Sequence, residues 1–434
     1  MSDSNKKRVV ITGMGWITPL GHDLDTVWAN LMSGASAIDR TTNFDASTFP
    51  TTFAAEVKNY NHLDHVSNRE LHEHADRNSG FLLGAATQAW KLSGLDGYAD
   101  LDRDRVGMYL GCGEGTLDFD NYVASNLAGW DEDQRSVDSV KWAAAAMQNL
   151  SRWREVEQEP NMPLYHIAVE FGISGPAYNC LTACAASTQA IGEAVEILRR
   201  GDADVMLAGG AHSMIHPFGV TGFNRLTALS NRNDDPRSAS RPFDKTRDGF
   251  VLGEGAGMIV LETLEHAQAR GATVLAEAVG YGSSADAFRI TDTHPEGRGA
   301  VAAMHDAFAD AGVGVNDIDY ISAHGTGTEE NDSTETLAIK KVFGDQAGSV
   351  PVSSIKSMMG HLIAAAGVVE LIICILAIRD GKIPPTTNLH HPDEACDLDY
   401  VPNEAREHPV NVALSNSFGF GGQNDTMIVR KFDN

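Results

Sequence analysis

Residues 184–208, CAASTQAIGEAVEILRRGDADVMLA, decide the fold class of this chain. Apolar residues recur at helical spacing up to Arg200, and Gly201 is a common helix stop. The apolar run at residues 204–208 then predicts a short buried strand. Further strands are predicted at residues 8–12, 106–110, 258–261 and 318–323, and further helices at residues 81–92, 140–154, 301–311 and 362–378. Buried strands alternating with helices predict an α/β protein whose parallel or mixed sheets are covered on both faces.

Two pairs of short segments recur in the same order along the chain. The pairs are YLGCGEGT at residues 109–116 with ISAHGTGT at residues 321–328, and ILRRG at residues 197–201 with AIRDG at residues 377–381. No short repeat period is present, so a solenoid is not predicted. The shared order predicts two related halves, residues 7–270 and residues 271–432.

Residues 117–163 differ in character from the rest of the chain. They contain three of the six tryptophans, Trp130, Trp142 and Trp153, together with an acidic run at residues 131–133. We predict a helical insertion in the first half that packs its tryptophans on the main body. A lid or a partner-binding surface is the alternative.

Composition excludes several classes of partner. The chain has 434 residues, 33 basic and 59 acidic side chains, and a net charge of −26. A surface this negative repels nucleic acid and anionic membranes, so neither is an expected partner. The most apolar stretch, residues 362–378, contains Glu370 and falls short of the roughly 20 residues that a membrane span needs. We expect a buried core helix there.

The cysteines indicate a reducing compartment. The chain has five cysteines, an odd number, and their spacing matches no disulfide framework. The two CxxC motifs that a structural zinc site would need are also missing. The first seven residues are polar, and the short apolar run after them is too short for a signal peptide. A cytoplasmic protein without metal is therefore expected.

Other glycine and histidine patterns are weaker indications of a binding site. Gly13 and Gly15 follow the first strand as in a dinucleotide-binding fingerprint, but Pro19 and Gly21 interrupt the helix that should follow. We predict a structural turn instead. His62, His65, His72 and His74 are predicted to lie on a solvated face, and His212 and His216 lack the glutamate of an HExxH zinc site.

Three residues could form a catalytic group. Cys184 lies where an extended segment turns into a helix, and the helix N-terminus favours the thiolate. His324 follows a predicted strand, and His361 begins the apolar helix. A cysteine nucleophile with two imidazoles is suited to thioester chemistry.

Four motifs together resemble the signatures of the β-ketoacyl-acyl-carrier-protein synthases, in particular the elongating Cys-His-His branch known as synthase II. The motifs are Thr182-Ala-Cys184, His324-Gly-Thr-Gly-Thr328, Lys356-Ser-Met-Met-Gly-His361 and Asn416-Ser-Phe-Gly-Phe-Gly-Gly422. Residues 241–257 match a further block, and the resemblance extends from Arg8 to about Arg430. It implies a thiolase-like, duplicated five-layer αβαβα fold with mixed sheets, assembled as a homodimer.

The resemblance also implies a reaction, the decarboxylative condensation of an acyl thioester with malonyl-acyl-carrier protein. Cys184 would carry the acyl chain, while His324 and His361 would promote decarboxylation and stabilise the enolate. The supporting residues would be Phe420 and Gly421 for the oxyanion site and gating, Lys356 and Glu370 for the histidine environment, and Thr326 and Thr328 for the pantetheine arm. No metal or cofactor is implied, since phosphopantetheine arrives on the carrier protein.

The same motifs distinguish the elongating synthases from related proteins. A thiolase needs a second cysteine near the C-terminus, a starter-type enzyme would have asparagine at His361, and a chain-length factor lacks the nucleophile. A polyketide or specialised-lipid ketosynthase of the same chemistry stays open, as does a non-catalytic scaffold or chain-length partner.

The sequence departs from the family in three places. Glu70 and Glu73 lie where basic residues would help to dock an acidic carrier protein, although Arg69, Arg77 and Arg225 could compensate. Arg289 replaces a usual histidine in a gating loop. The insertion at residues 117–163 is longer than usual.

Overall fold

The computed structural model describes residues 6–113 and 115–433; Glu114 of the repeated YLGCGEGT segment lies outside them. The strands of this part are β1 Val9–Ile17, β2 Asp39–Arg40, β3 Phe53–Ala54, β4 Val106–Cys112, β5 Trp130–Asp131, β6 Ser136–Val137, β7 Ala177–Cys180, β8 Val205–His212, β9 Gly255–Thr263, β10 Ala276–Ala285, β11 Tyr320–Ser322, β12 Val352–Ser353, β13 Lys382–Ile383, β14 Arg406–Glu407, β15 Val412–Gly419 and β16 Gln423–Arg430.

The helices lie on both faces of the sheet. They are α1 Leu24–Met32, α2 Arg69–His72, α3 Arg77–Ser93, α4 Phe119–Gly129, α5 Ser139–Asn149, α6 Arg152–Glu157, α7 Met162–Phe171, α8 Ala186–Arg200, α9 Pro217–Arg225, α10 Leu264–Ala269, α11 Arg298–Ala311, α12 Glu329–Phe343, α13 Lys356–Met359 and α14 Ala366–Asp380.

The main sheet consists of two five-stranded blocks with the same topology. The order is β7-β4-β8-β9-β1 in one block and β12-β11-β15-β16-β10 in the other. In each block the first three strands are parallel and the last two pairings are antiparallel. Antiparallel pairing of β1 with β10 joins the blocks, with Val10 opposite Glu277. The predicted duplication of a mixed sheet is confirmed.

Helices form the other three layers of the αβαβα fold. Helix α3 packs in the core outside the first block, and α11 and α12 pack in the core outside the second. Helices α8 and α14 share the largest core, between the blocks. In α14 every residue except Arg379 and Asp380 is buried, because an apolar helix between two sheets has no solvent face. The predicted five-layer fold is confirmed, whereas the division at residue 270 remains a prediction.

Two local predictions are wrong. Gly13 and Gly15 lie inside β1, not in a turn. They let α3 pack closely on the strand, since a Cβ at Gly13 or Gly15 would lie 2.1 Å from the Ala89 or 2.3 Å from the Ala85 carbonyl oxygen, respectively. The helix predicted over residues 140–154 is two helices, α5 and α6. The extended backbone of Ser151 separates them. No helix in the described residues has both the length and the apolar character needed to cross a bilayer.

Candidate active site

Cys184 lies in a 3₁₀ turn, Ala183–Ala185, at the start of the central helix α8. Ala183 adopts a left-handed conformation with φ of 49°, which re-aims the chain between β7 and the helix. The second half has the same kind of turn, since Ile363, with φ of 42°, begins a 3₁₀ turn before α14. Each half therefore presents a strained turn at the N-terminus of its central helix.

His361 reaches Cys184 from the second of these turns. Its Nε2 lies 3.1 Å from the Cys184 sulfur. The backbone N–H of Ile363 donates to Nδ1 over 3.2 Å, so the proton of the neutral ring is on Nε2 and points at the sulfur. Burial, together with the nearby Lys356 ammonium, holds the pKa of His361 well below its ordinary value. The ring is thus a neutral hydrogen-bond donor.

His324 completes the group from the end of β11. Its ring centroid is 5.3 Å from that of His361, and the reactive atoms of Cys184, His324 and His361 all lie within 4.8 Å of one another. Burial and Lys356 hold the pKa of His324 well below its usual range, and its buried Nδ1 has no hydrogen-bond partner in the described residues. A second neutral imidazole therefore faces the site with a free nitrogen.

The Cys184 thiol is protonated at rest. Burial raises its pKa to about 11, against the opposing influence of Lys356 and of the Phe420 backbone N–H. The backbone N–H of Cys184 in this turn does lower the pKa of the thiol, as predicted for a helix start, but the desolvation of the fully buried sulfur outweighs it.

Lys356 and Glu370 form a buried ion pair beneath the histidines. The Lys356 ammonium bonds the Glu370 carboxylate and donates to the His324 carbonyl oxygen over 2.5 Å. Burial raises the pKa of Glu370 to about 7, although Lys356 opposes this. Lys356 fixes the backbone at His324, and its charge adds to burial in lowering the pKa of both imidazoles.

Glu335 is a part of the site that the sequence did not reveal. From α12 its carboxylate accepts the backbone N–H groups of His324 and Gly325 over 2.9 and 2.8 Å. Burial raises its pKa to about 7. No motif spacing marked this residue, although its position one helical turn after Asn331 places it facing the strand end.

The turn between β15 and β16 approaches Cys184 closely. A Cβ on Gly419, the last residue of β15, would lie 2.9 Å from the Thr182 carbonyl oxygen and 3.3 Å from the Cys184 nitrogen, so a side chain there would push the two segments apart. The Phe420 N–H faces the sulfur, and its part in the oxyanion site remains a prediction. The Gly421 N–H instead donates to the Ile290 carbonyl oxygen over 2.7 Å, so it is no free donor; its part in gating remains a prediction.

A cavity of about 340 Å³ connects the three catalytic candidates to the surface. Thr326 and Thr328 line it, with their hydroxyl oxygens 2.9 Å apart. Buried Arg247 anchors this wall by donating to the Thr328 carbonyl oxygen over 3.0 Å and to Asp393 over 2.6 Å. The cavity is a channel with hydroxyl groups on its wall and a thiol at its base.

Cys184, His324 and His361 are also close enough together to ligate one metal ion. The hydrogen bond to Nδ1 of His361 leaves the ring proton on Nε2, the nitrogen that faces the sulfur, and the high pKa of the thiol disfavours the thiolate that a metal needs. The expectation of a metal-free, cofactor-free site stays a prediction.

Comparison with known proteins gives the family. Residues 6–267 match the model of the beta-ketoacyl synthase N-terminal domain, and residues 275–390 match that of the C-terminal domain. A 3-oxoacyl-[acyl-carrier-protein] synthase 2 from Coxiella burnetii is 43% identical, over 99% of this chain and 100% of the relative.

Solved structures agree with this result. A beta-ketoacyl synthase from Burkholderia phymatum is 34% identical with a TM-score of 0.87, over 98% of this chain and 100% of that one. A ketosynthase complex with a type II polyketide acyl-carrier protein matches at 32% identity and a TM-score of 0.86, over 99% and 100%. As the motifs predicted, the chain belongs to the beta-ketoacyl synthase family, and it is an acyltransferase of the condensing type.

Proposed function

We propose that the enzyme condenses an acyl thioester with malonyl-acyl-carrier protein, with loss of CO2, to give a 3-oxoacyl-acyl-carrier protein in fatty acid elongation. The observation that carries the proposal is the meeting of the Cys184 sulfur with two neutral imidazoles at the base of one channel. A nucleophile and two hydrogen-bond donors, with no strong base, suit a reaction whose carbanion forms by decarboxylation.

The first half-reaction loads the enzyme. The Cys184 sulfur attacks the acyl thioester, the new acyl–sulfur bond forms, and the carrier thiol leaves with the proton. The backbone N–H groups of Cys184 and Phe420 stabilise the oxyanion of the tetrahedral intermediate. His361, which donates to the sulfur before the reaction, is released from it once the thioester has formed.

The second half-reaction joins the carbon chains. His324 and His361 donate to the malonyl thioester oxygen, and the carboxylate leaves as CO2 while the electron pair moves into the enolate. The enolate carbon attacks the acyl group on Cys184, and the cysteine leaves as a thiolate and takes up a proton. Thr326 and Thr328 hold the pantetheine arm in the channel.

The fatty acid pathway is supported over a polyketide pathway by degree of similarity. The relative called 3-oxoacyl-[acyl-carrier-protein] synthase 2 is 43% identical to this chain, against 32% for the polyketide ketosynthase complex. The presence of Cys184 disfavours the non-catalytic scaffold.

Cys184→Gln tests the division of labour between the cysteine and the histidines. The variant should lose condensation and retain malonyl decarboxylation, because the amide cannot be acylated but leaves His324 and His361 in place. The measurement is CO2 release from carboxyl-labelled malonyl-carrier protein, alongside product formation. Loss of both activities in a folded variant would contradict the proposal.

We further propose that Arg225 is a cationic contact for the acidic carrier protein. Of the three predicted arginines, Arg69 is paired with Asp64 and Arg77 with buried Glu254. Arg225 has no ionic partner in the described residues, and the residue that follows it lines the channel. One local cation then opposes the repulsion between two acidic proteins, and salt should assist docking by screening the rest.

Arg225→Glu is the test of this docking contact. It should raise KM for malonyl-carrier protein several-fold, while malonyl-N-acetylcysteamine, which has no carrier protein, is used as before. Lys91→Glu, on the outer helix α3, is the matched charge control. An equal effect of Arg225→Glu on both substrates would contradict the docking role without affecting the proposed reaction.

We also propose a cytoplasmic homodimer. Strand β7 pairs with β4 alone among the described strands, and Tyr178 within it and Leu181 just after it are half-exposed, so a second copy can cover this edge. All five cysteines are free, which fits a reducing compartment. Leu181→Glu should give a monomer in light scattering, whereas Leu92→Glu, on α3, should not; a dimer in both variants would contradict this interface.

A further inference from the structure

A buried chain of four titratable side chains fastens the insertion to the segment before α3. His72 and His166 face each other through their Nδ1 atoms at 2.9 Å, and both side chains are buried. His72 Nε2 lies 3.0 Å from Glu170, and His166 Nε2 lies 2.9 Å from Glu157. The prediction that His72 lies on a solvated face is wrong, because α2 packs it against α7.

Counting protons shows how many this row of four side chains must hold. Its three hydrogen bonds each need one proton, but two neutral imidazoles carry only two. One ring must therefore be an imidazolium, or one carboxyl must be protonated. A fourth proton would set two N–H groups against each other at 2.9 Å, and loss of the third would set a ring lone pair against a carboxylate.

We propose that these four residues, Glu157, His166, His72 and Glu170, form a proton-dependent clasp that holds helix α6 of the insertion on the α2 segment in a bounded pH range. Acid opens the clasp at the link between the histidines. Alkali opens it at a link to a carboxylate. The inference does not depend on the proposed reaction.

The surroundings disfavour a charge on both rings at once. Burial, then the neighbouring His166, lowers the pKa of His72. His62 faces the pair from the preceding turn, with its Nε2 2.9 Å from the His72 carbonyl oxygen, and the Tyr165 ring lies against His166. Ser67 donates its N–H and its hydroxyl to Glu170 over 2.7 and 3.1 Å. The remaining charged side chains of α2 and its end, Arg69, Glu70, Glu73 and His74, are exposed.

The clasp is connected to the mouth of the channel through the insertion. Arg154 on α6 donates to Asp118 over 3.0 Å, at the start of α4. Phe119 on α4 packs edge-on against Phe218 of α9, with ring centroids 4.9 Å apart. Helix α9 ends next to Leu226, which lines the channel. Opening of the clasp therefore loosens a wall that leads to the active site.

Glu157→Gln distinguishes the opening in acid from the opening in alkali. A glutamine amide can donate to His166 Nε2, so every link is then satisfied by two neutral rings, and the third proton is no longer needed. Hydrogen exchange of the full-length protein, followed by mass spectrometry from about pH 5 to 10 and corrected for the chemical exchange rate, reports on residues 152–171. Glu159→Gln, an exposed neighbour, is the matched control.

The wild type and Glu159→Gln should lose protection in residues 152–171 at both ends of the range, by tenfold or more, while the central helix α8 stays protected. Glu157→Gln should keep its protection at alkaline pH and lose it only in acid. Wild-type protection that does not change with pH, an alkaline loss unaltered in Glu157→Gln, or simultaneous loss in α8 would each overturn the clasp.

Discussion

His361 Nε2 lies 3.1 Å from Cys184 Sγ, although 177 residues separate the two in sequence. The contact is a product of the duplication, because each residue stands at the strained turn that precedes the central helix of its own half. Since α8 and α14 lie side by side between the sheet blocks, their N-termini meet. The nucleophile comes from one copy of the repeat and the hydrogen-bond donor from the other.

The protonated resting thiol predicts the pH dependence of alkylation. With a pKa of about 11, the thiolate fraction of Cys184 rises about tenfold per pH unit from neutral to alkaline pH. Iodoacetamide labelling of Cys184, followed by peptide mass spectrometry, should accelerate past pH 9 without levelling. A plateau below pH 8 would show that the sulfur is a thiolate at rest.

Lys356→Met should inactivate and destabilise the enzyme. The substitution leaves Glu370 buried without a counter-charge, at a cost of about 3–5 kcal/mol. The folded variant must keep a proton on Glu370 that the unfolded chain releases above about pH 4.3, so the loss of stability should grow as the pH rises. Thermal unfolding at pH 5 and pH 8 measures both effects.

The double variant Lys356→Met with Glu370→Leu is the control. Replacing the whole pair with apolar groups removes the unpaired charge and should recover most of the lost stability. Activity should stay low, because the hydrogen bond to the His324 carbonyl oxygen is gone. A double variant as active as the wild type would contradict the role of the pair in the site.

Gly419→Ala tests the oxyanion site. The added methyl group would lie 2.9 Å from the Thr182 carbonyl oxygen and 3.3 Å from the Cys184 nitrogen, so the turn carrying Phe420 must move away. We expect a loss of about 10²–10³ in kcat, the usual effect of removing one oxyanion donor. Gly348→Ala has open space around it and should be neutral; equal activity of the two variants would refute the assignment.

The sequence predicted most of the strands and helices because they depend on strong local patterns, whereas the five layers and the meeting of Cys184, His324 and His361 were implied by the family resemblance. Buried strands, a wholly apolar helix and helix stops at Gly201 and Gly381 are visible in the residues themselves. The histidine and cysteine positions followed from motifs at the strand and helix ends.

What the sequence missed depends on tertiary contacts. Nothing local distinguishes Glu335 from an exposed helical glutamate until α12 is packed on the strand end. His72 appears polar and solvated until α7 supplies His166 and Glu170. The pKa of Cys184 depends on the fold in the same way, since only the fold shows how completely the sulfur is desolvated and that this outweighs the nearby N–H groups.

Intact-protein mass spectrometry tests the central claim most directly. Incubation with an acyl-carrier protein should add one acyl group to the wild type and none to Cys184→Ala, and peptide mapping should place it on Cys184. Addition of malonyl-carrier protein should then remove the acyl group and yield a 3-oxoacyl carrier two carbons longer. Acylation of Cys184→Ala at wild-type stoichiometry, or discharge without chain extension, would contradict the proposed condensation.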